Sequence, residues 1–544
     1  MSPRQVFVRL TVVTLLCVGL LSLVWRPVLW SLVVLLPIAA VGFADMLQTR
    51  HSVRRNFPII GNLRYLFESV RPEMQQYFVE SNTSGRPFSR ELRSVVYQRA
   101  KSAIDTKPFG TELDVYATGY EWINHSLVPK HAPDEPHRVI VGGKDCKQPY
   151  AAALLNISAM SYGSLSKNAI MALNRGAKLG GFAHNTGEGG ISPYHLEGGD
   201  LIWQIGTGYF GCRDHNGGFS PDEFAQKAAR PEIKMIELKL SQGAKPGHGG
   251  ILPAGKLTAE IAAIRDVPMG QDVLSPPAHS TFSTPIELCR FIGQLRDLSG
   301  GKPVGFKLCV GKPREFFAIC KAMLATGITP DFITVDGGEG GTGAAPLEFS
   351  NRLGMPLEEG LVFVHNALTG VGLRHEVRII ASGRIVTGFG IAQNLAMGAD
   401  LCNSARAMMF ALGCIQALQC NTNKCPTGVA TQNPDLVRGL DVPDKAMRVH
   451  NFHRSTVLAF SELLAAAGLE RPNQLRPWHV QRRVSATEVR HYGEIFAYLR
   501  PYSLLESEVP SAYARDWYSA TAISFDPAVR DGLSAVPGPR PMPG

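Results

Sequence analysis

In the stretch IKMIELKLSQGAKPGHGG (233–250), a largely apolar run passes directly into a loop that contains four glycines. Repeated strand–loop–helix units with apolar strands indicate a parallel sheet that is covered on both faces. The number of such units favours an α/β fold with a (β/α)8 TIM barrel over residues 151–440, rather than an open doubly wound sheet. Further candidate strands are ALLNIS (153–158), PVGFKLCV (303–310), DFITV (331–335) and VRIIAS (377–382), and helical spacing appears at 165–179, 257–265, 313–326 and 390–398.

The composition is that of a folded protein with many tight loops. Of the 544 residues, 45% are hydrophobic and 19% are charged, and the 55 glycines cluster in short runs. The net charge of +9 is modest, and no basic run is interleaved with aromatic residues, so we predict no nucleic-acid binding. Ten cysteines are too few for a disulfide scaffold in a chain of this length.

The N-terminus holds two apolar runs, 10–25 and 28–44, separated by Arg26 and Pro27. A cleaved signal peptide would leave the second run unexplained, and a single span would place Arg26 centrally at a cost of about 2.5–3.5 kcal/mol. We therefore predict a membrane anchor over residues 1–50, built as a hairpin of two short transmembrane helices. The positive-inside bias then predicts an inner (plasma) membrane protein with its catalytic domain facing the cytoplasm. The basic residues on that side are Arg4, Arg9, Arg50, Arg54 and Arg55.

Two α-rich segments are expected to flank the barrel. Residues 56–150 form an N-terminal extension in which 90–104 has helical apolar spacing. Residues 441–544 form a C-terminal extension that is polar and becomes proline-rich at its end.

The loop GCIQALQCNTNKCPTGVATQ (413–432) carries three cysteines, Cys414, Cys420 and Cys425, at C-x5-C-x4-C spacing. A zinc site would need a fourth ligand, and His450 or His453 could supply it, so a Cys3His zinc site stays open. The proline directly after the last cysteine is typical of iron–sulfur loops. Three thiolates suit a [3Fe–4S] cluster, which has one iron fewer to ligate than a cubane.

Polar residues gather where the candidate strands end. Lys239, Gln242 and Lys245 leave one strand into a glycine-rich loop, where lysines could bind a flavin edge and an anionic substrate. Glu188 and Glu339 sit inside glycine runs, where each carboxylate could bind an ammonium, take a proton or merely cap a turn. The loops ASGRIVTG (381–388) and NSARAM (403–408) resemble paired phosphate-binding loops of barrels.

Several motifs together resemble the FMN-binding synthase domain of bacterial and plant-type glutamate synthases, from about Ala151 to Gln432. They are ISAMSYGSLS, NTGEGG, QGAKPG-x-GG, the SPP at 275–277, GGTGA and C-x5-C-x4-CP-x-GVATQ. The resemblance implies a (β/α)8 barrel with FMN at the strand ends and a [3Fe–4S] cluster beside it. In those enzymes reduced FMN passes a hydride to 2-iminoglutarate, which forms from 2-oxoglutarate and ammonia.

The resemblance also implies roles for individual residues. Cys414, Cys420 and Cys425 match the cluster ligands. Glu188 matches a residue that receives ammonia and, with Lys239, is the predicted catalytic pair. Substrate binding is implied for Lys245, Arg265 and Gln242. Cofactor contacts are implied for Met160, Ser161, Lys239, Gln242, Lys307, Gly383, Arg384, Ser404 and Ala405.

The sequence departs from that family at several points. His248 and Ile251 replace a glutamate and a glutamine in the loop after the third motif, so substrate choice can differ. Ser2 stands where the glutaminase domain has its nucleophilic cysteine, and we expect nitrogen from ammonia or an unknown donor. The chain looks like the stand-alone, membrane-anchored branch of the family.

The predicted function is a glutamate synthase-like FMN and iron–sulfur oxidoreductase that acts on the CH–NH2 or C=N bond of an amino or imino acid. Its expected partner is a small-molecule amino or keto acid substrate. It would need an electron donor or acceptor, which the sequence does not identify. Two alternatives stay open: a membrane-linked amino-acid or amine dehydrogenase, and a non-catalytic electron-transfer component.

Overall fold

A computed structural model describes residues 2–103, 106–133 and 135–527. The chain forms two compact units, Met1–Arg90 and Glu91–Gly544, and each is described by itself. Residues 528–544 of the predicted C-terminal extension lie outside the described residues.

The first unit begins with two apolar helical segments. The helix Pro3–Ser22 is followed by the 3-10 turn Arg26–Ser31, which continues into the helix Leu32–Leu47. The rings of Phe7 and Phe43 meet edge to face at 5.5 Å, so the start of the first segment lies beside the end of the second. Both segments are long and apolar enough to cross a membrane by length and composition, a test that a signal sequence also passes.

Three short elements complete this unit: the helices Ser52–Asn56 and Ile60–Met74, and the π-helical turn Gln75–Val79. The buried carboxylate of Asp45 connects the helix Ile60–Met74 to the second apolar helix. Its Oδ2 accepts hydrogen bonds from the amide N–H of Ile59 at 3.0 Å and from Nδ2 of Asn62 at 2.5 Å. The start of the helix Ile60–Met74 is therefore fixed at the end of the second apolar helix.

Eight parallel strands close into a barrel in the second unit, which confirms the predicted (β/α)8 fold. Neighbouring strands follow chain order, and β8 pairs with β1 to close the sheet. The strands are β1 (Leu155–Ile157), β2 (His184–Asn185), β3 (Leu201–Ile205), β4 (Ile233–Lys239), β5 (Val304–Leu308), β6 (Phe332–Asp336), β7 (Arg378–Ser382) and β8 (Leu401–Ser404).

Helices cover the outside of the barrel. Side-chain caps start several of them, such as Ser166, whose hydroxyl accepts the amide N–H of Ala169, and Thr284 in a capping box with Glu287. The barrel helices are Lys167–Gly180, Pro221–Ala228, Ala259–Arg265, Pro285–Leu298, Pro313–Thr326, Leu347–Arg352, Leu357–Gly370, Gly388–Met397 and Arg406–Leu412.

The flanking segments contain both helices and strands. The hairpin of Arg138–Val141 with Tyr150–Ala153 packs Val141 and Ala152 against barrel residues such as Met235 and Phe332, and so closes one end of the barrel. An antiparallel sheet joins Glu121–Ile123, Val480–Arg483 and Val489–His491. The flanking helices are Arg90–Ala100, Pro434–Val437, Val442–Ala466, Tyr492–Ile495 and Ser511–Ser519.

Candidate active site

An ion pair between Lys239 and Glu188 marks the mouth of the barrel. Lys239 ends β4 and Glu188 lies in the loop after β2, and their Nζ and Oε1 atoms are 2.7 Å apart. Two glycines leave room for the carboxylate. A Cβ atom would lie 2.6 Å from Oε2 at Gly206 and 2.5 Å from Oε1 at Gly250. The glycine-rich loops that the sequence shows thus enclose a charged group.

Three cations surround Glu188. Burial alone would raise its pKa, but Lys239, Lys245 and Arg265 together hold the pKa below its ordinary value. Glu188 is therefore a carboxylate at neutral pH. Lys245 donates a hydrogen bond to the carbonyl oxygen of Ala344 at 3.0 Å. Burial first, and then repulsion by Lys239, lowers the pKa of Lys245 to about 8, against the attraction of Glu188.

Arg265 ends the helix Ala259–Arg265 and lies in the same group of charges. Its Nη2 donates to the carbonyl oxygen of Tyr162 at 3.2 Å, and its guanidinium lies 5.2 Å from the centre of the Phe210 ring. Its buried Nε has no hydrogen-bond partner among the residues that the structure describes. Burial lowers the pKa of Arg265 to about 10, and the group stays a cation at neutral pH. A buried cation with an unused donor can bind an anionic group of a ligand.

A second ion pair lies at the ends of β5 and β6. Nζ of Lys307 is 3.4 Å from Oδ2 of Asp336, and that oxygen also accepts the amide N–H of Gly243 at 2.9 Å. Burial lowers the pKa of Lys307, but the attraction of Asp336, Glu237 and Glu188 raises it overall, so Lys307 is a cation. The pair thus fixes the loop that carries Gln242 and Lys245.

Deeper in the barrel, Glu237 is fully buried and accepts three side-chain hydrogen bonds. Asn185 and Gln204 each donate to Oε1 at 2.7 Å, and Thr334 donates to Oε2 at 2.6 Å. The sequence analysis did not identify Glu237 or Asp336. Both could have been found from the sequence, since Glu237 is a charged residue within an apolar strand run and Asp336 directly follows one.

His279 supports the backbone of Lys239. Its Nε2 lies 2.8 Å from the carbonyl oxygen of Lys239, and its Nδ1 lies 3.0 Å from the hydroxyl of Tyr209. Burial lowers the pKa of His279 to about 4, so the ring is neutral. A neutral ring with Nε2 donating to a carbonyl must accept at Nδ1, which fixes its tautomer. His279 is a further residue that the sequence analysis missed.

The loop with Met160 and Ser161 lies against the loop that carries Glu188. The amide of Met160 donates to the carbonyl oxygen of Asn185 at 3.0 Å, and its carbonyl oxygen is 3.0 Å from Nε2 of His195. Gly187 has φ 65°, and a Cβ there would lie 2.9 Å from the amide nitrogen of Ser161. This close approach requires glycine. Gln242 is half-buried in the loop after β4.

Four predicted phosphate contacts lie where β7 and β8 end. Gly383 and Arg384 follow β7, while Ser404 ends β8 and Ala405 precedes the helix Arg406–Leu412. The hydroxyl of Ser404 donates to the carbonyl oxygen of Ile385 at 2.7 Å, which joins the two loops.

Arg406, which the sequence analysis did not select, adds a second guanidinium at this place. Burial, and then repulsion by Arg384, lowers the pKa of Arg406 to about 10. Two cations at this edge of the barrel provide the charge that a phosphate needs.

Glu339 has the structural role that the sequence left open. Its Oε2 accepts the amide N–H of Leu357 at 3.1 Å, at the start of the helix Leu357–Gly370. A carboxylate at a helix N-terminus is stabilising. Of the two glutamates in glycine runs, Glu188 therefore joins the charged group and Glu339 caps a helix.

The three cysteines of the loop 413–432 differ in their surroundings. The thiol of Cys425 is buried, which raises its pKa, but Thr427 and the amides of Ala430, Thr427 and Val429 lower the pKa overall. Burial raises the pKa of Cys414 to about 12, and it also raises the pKa of Cys420. Among residues 2–103, 106–133 and 135–527, no three His, Cys, Asp or Glu side chains form a group that could hold a metal ion.

The predicted fourth zinc ligands have other positions. Nε2 of His453 lies 2.9 Å from the carbonyl oxygen of Leu155, and the ring stacks on Phe182 at 3.7 Å. His450 lies near Gly180, at the end of the helix Lys167–Gly180. Neither histidine joins the cysteines in the described part of the chain, so the Cys3His arrangement is not formed.

Hydrogen bonds attach the cysteine loop to the rest of the barrel. Nζ of Lys256 donates to the carbonyl oxygens of Ser164 at 2.5 Å and Cys420 at 3.2 Å. The hydroxyl of Tyr97 donates to the carbonyl oxygen of Cys414 at 2.6 Å. Lys256 thus connects the cysteine loop to the loop that follows Met160 and Ser161.

Comparison with known proteins places these features in context. The model of the family described as the conserved region in glutamate synthase matches residues 127–470. The glutamate synthase large subunit-like protein YerD of Bacillus subtilis (strain 168) is 40% identical over 489 residues, which cover 82% of this chain and 92% of that protein.

Two further matches are more distant. The archaeal glutamate synthase (NADPH) of Methanocaldococcus jannaschii is 37% identical over 325 residues, and the chain spans 60% of the length of that relative. A crystal structure of mandelate oxidase with (S)-2-phenylpropionate is 12% identical with a TM-score of 0.40, over 73% of this chain and 98% of that one. The likeness to mandelate oxidase carries no information about the reaction.

Proposed function

The chain belongs to the glutamate synthase family of oxidoreductases, and from that premise we propose that it uses FMN to move a hydride to or from the α-carbon of an amino or imino acid. One observation carries this proposal. Glu188, a carboxylate, is held among Lys239, Lys245 and Arg265 at the strand ends of the barrel. Such a site offers cations to a substrate carboxylate and an anion to a substrate nitrogen.

The residues present fit FMN. Arg384 and Arg406 would hold the phosphate, together with the backbone at Gly383, Ser404 and Ala405. The loop of Met160 and Ser161, with Gln242, Lys239 and Lys307, would hold the flavin ring. The close approach of Gly187 to Ser161 holds the loop of Met160 and Ser161 beside the loop that carries Glu188. Bound FMN supplies two-electron hydride chemistry.

The chain's own residues would bind and orient the substrate. Lys245 and the unused Nε of Arg265 would hold its carboxylate. Glu188 stays ionised and would hold the protonated nitrogen, while Lys239 keeps that carboxylate in place at 2.7 Å. His279 would position Lys239 through its backbone carbonyl.

We also propose that Cys414, Cys420 and Cys425 bind an iron–sulfur cluster, of the [3Fe–4S] type. Two observations support this: one loop supplies three thiols, which are the ligand type of such clusters, and the surroundings of Cys425 favour its thiolate. Lys256 lies against the carbonyl of Cys420 and would offset negative charge at a cluster.

We propose that residues 1–50 anchor the protein in the inner membrane with the barrel in the cytoplasm. Two apolar helices with basic residues beside them support this. Mass measurement of the purified full chain tests the signal-peptide alternative, because cleavage would remove at least the first helix.

Reduction of the flavin under anaerobic conditions tests the reaction. We expect an amino acid to bleach the flavin absorbance, or 2-oxoglutarate with ammonium to restore it after chemical reduction. The Glu188→Gln variant should lose this response while it keeps its flavin. A panel of amino and keto acids that changes neither redox state would contradict the enzyme proposal and favour an electron-transfer component.

A second candidate is a membrane-linked amino-acid or amine dehydrogenase that runs in the opposite direction. The two apolar helices favour it, since they would keep the barrel beside membrane electron carriers. Reduction of a soluble quinone analogue by an amino acid, catalysed by the full chain in detergent, would support this direction.

A further inference from the structure

The helix Ile60–Met74 carries an exposed apolar stripe. The residues recur at the spacing of one helix face and are 70%, 49%, 66%, 40% and 50% exposed in chain order. In a globular protein such a stripe faces the core. Here it faces outward and needs another partner. The five residues are Ile60, Leu63, Phe67, Val70 and Met74.

Basic side chains border this stripe. Arg64 and Arg71 line one shallow pocket together with the acidic Glu68 and the apolar Phe67, Val70 and Met74. Nε of Arg64 also forms an exposed ion pair with Glu68 at 3.0 Å. Arginine stems can lie along apolar surface while their guanidinium groups reach outward to anions. The pattern of apolar centre and basic border is typical of helices that lie on anionic membranes.

The stripe also begins close to the apolar helices. Asp45, in the last turn of the helix Leu32–Leu47, accepts hydrogen bonds from the backbone of Ile59 and the side chain of Asn62. The first turn of the stripe helix is therefore fixed to the end of that apolar helix. If the apolar helices span a membrane, this end lies at its surface.

We propose that the helix Ile60–Met74 lies along the cytoplasmic surface of the membrane, with its stripe among the acyl chains and Arg64 and Arg71 at anionic phospholipid headgroups. This inference rests on the proposed membrane anchor. Burial of the stripe adds apolar contact with the bilayer that the two spans alone do not provide, and each basic residue adds attraction to anionic lipid.

Lipid-borne quenchers test this with the full chain in vesicles of phosphatidylcholine and phosphatidylglycerol. A fluorescent amino acid is placed by codon suppression at position 67, or at position 69 as the control, since Ser69 is exposed and lies off the stripe. A third probe at position 16 reports on the first apolar helix, where Leu16 is exposed. Flavin content checks the folding of each variant.

We expect a shallow nitroxide lipid to quench the probe at position 67 at least about twofold more than the probe at position 69. A deep nitroxide lipid should quench position 16. Replacing phosphatidylglycerol by phosphatidylcholine, or both arginines by glutamine, should reduce quenching at position 67.

Two results would overturn the inference while leaving the anchor intact. One is a probe at position 67 that is exposed to water while position 16 is quenched. The other is a probe at position 67 that is shielded from water but is not quenched by lipid, because protein, such as a second copy, then covers the stripe. Absence of quenching at position 16 would instead overturn the anchor itself.

Discussion

The mouth of the barrel and the cysteine loop 413–432 both come from short sequence motifs, but they are held in different ways. At the mouth, side chains hold one another, as in the pair of Lys239 with Glu188 at 2.7 Å. In the loop, contacts hold the backbone, as in the hydrogen bonds from Tyr97 and Lys256 to the carbonyls of Cys414 and Cys420. Strand ends thus fix the first region, while the second depends more on what its thiols bind.

The two regions also differ in charge. Glu188 is stabilised as an anion by three cations, whereas burial raises the pKa of Cys414 and Cys420. A buried thiol becomes a thiolate when a metal supplies the positive charge. The difference suggests changes that should affect one region and leave the other intact.

The largest expected effect is in the loop. Cys420→Ser should remove nearly all protein-bound iron, because a three-ligand site cannot lose a thiolate and keep its cluster. Iron analysis and the visible spectrum measure this. Cys146→Ser is the matched control, since Cys146 is half-buried outside the loop. Full iron in the Cys420 variant would contradict the ligand assignment.

At the mouth, Lys239→Met should slow flavin reduction by about 10²–10³-fold, since it removes a preorganised charge at the reacting centre. Lys234→Met is the control, because Lys234 lies on the same strand beside Asp200. Iron content should not change. The double variant with Glu188→Gln should regain thermal stability, because it removes the buried carboxylate that Lys239→Met alone leaves without its partner. An active Lys239→Met enzyme would remove this lysine from the site.

Lys256 connects the two regions and gives a smaller effect. Lys256→Met should release iron to a chelator about tenfold faster, since it removes donors that hold the loop. Lys256→Gln keeps a hydrogen-bond donor, and its rate of iron release should lie between that of Lys256→Met and that of the native protein. The reduction potential of the cluster should fall with the lost positive charge. If Lys256→Met changes neither the rate of iron release nor the reduction potential, the cysteine loop keeps its structure without Lys256.

The smallest effect is a pH dependence at the mouth alone. Lys245 loses its proton as pH rises through about 8, so its positive charge is present below that pH and lost above it. For an anionic substrate, kcat/KM should fall to about half near pH 8. Lys245→Arg should extend the plateau to higher pH. If the native protein and Lys245→Arg show the same pH dependence of kcat/KM, Lys245 does not bind the substrate carboxylate.

The sequence was sufficient for the barrel because five strands have long apolar runs that end in glycine loops. It missed β2, which is two residues long, β3, and β8, which includes the polar Asn403 and Ser404. These short or unmarked strands gain their structure from neighbours in the sheet, and local propensity does not reveal them.

Among the candidate site residues, the sequence selected those for which motif and chemistry coincide, such as Lys239, Glu188 and Lys245, and the barrel brings these three charges together. It was missed where a partner lies far along the chain. Asp336 contacts Lys307 and the amide of Gly243, and no local sequence pattern predicts these contacts. The histidines proposed for zinc failed for the same reason, since spacing in sequence does not show that His453 faces Leu155.

The buried carboxylate of Glu237 has a consequence for how the barrel assembles. It takes hydrogen bonds from β2, β3 and β6, and the last donor, Thr334, lies 97 residues further along the chain. A strand that slipped by one residue would turn its donor to the other face. The carboxylate therefore has all three of its hydrogen bonds only when β6 has joined the sheet in the correct register. In an amino-terminal fragment that ends after β4, Glu237 would lack its hydrogen bond from Thr334, so we expect its carboxylate to stay exposed to water. Glu237→Leu removes that carboxylate and should increase the protection of the fragment's amides from hydrogen exchange.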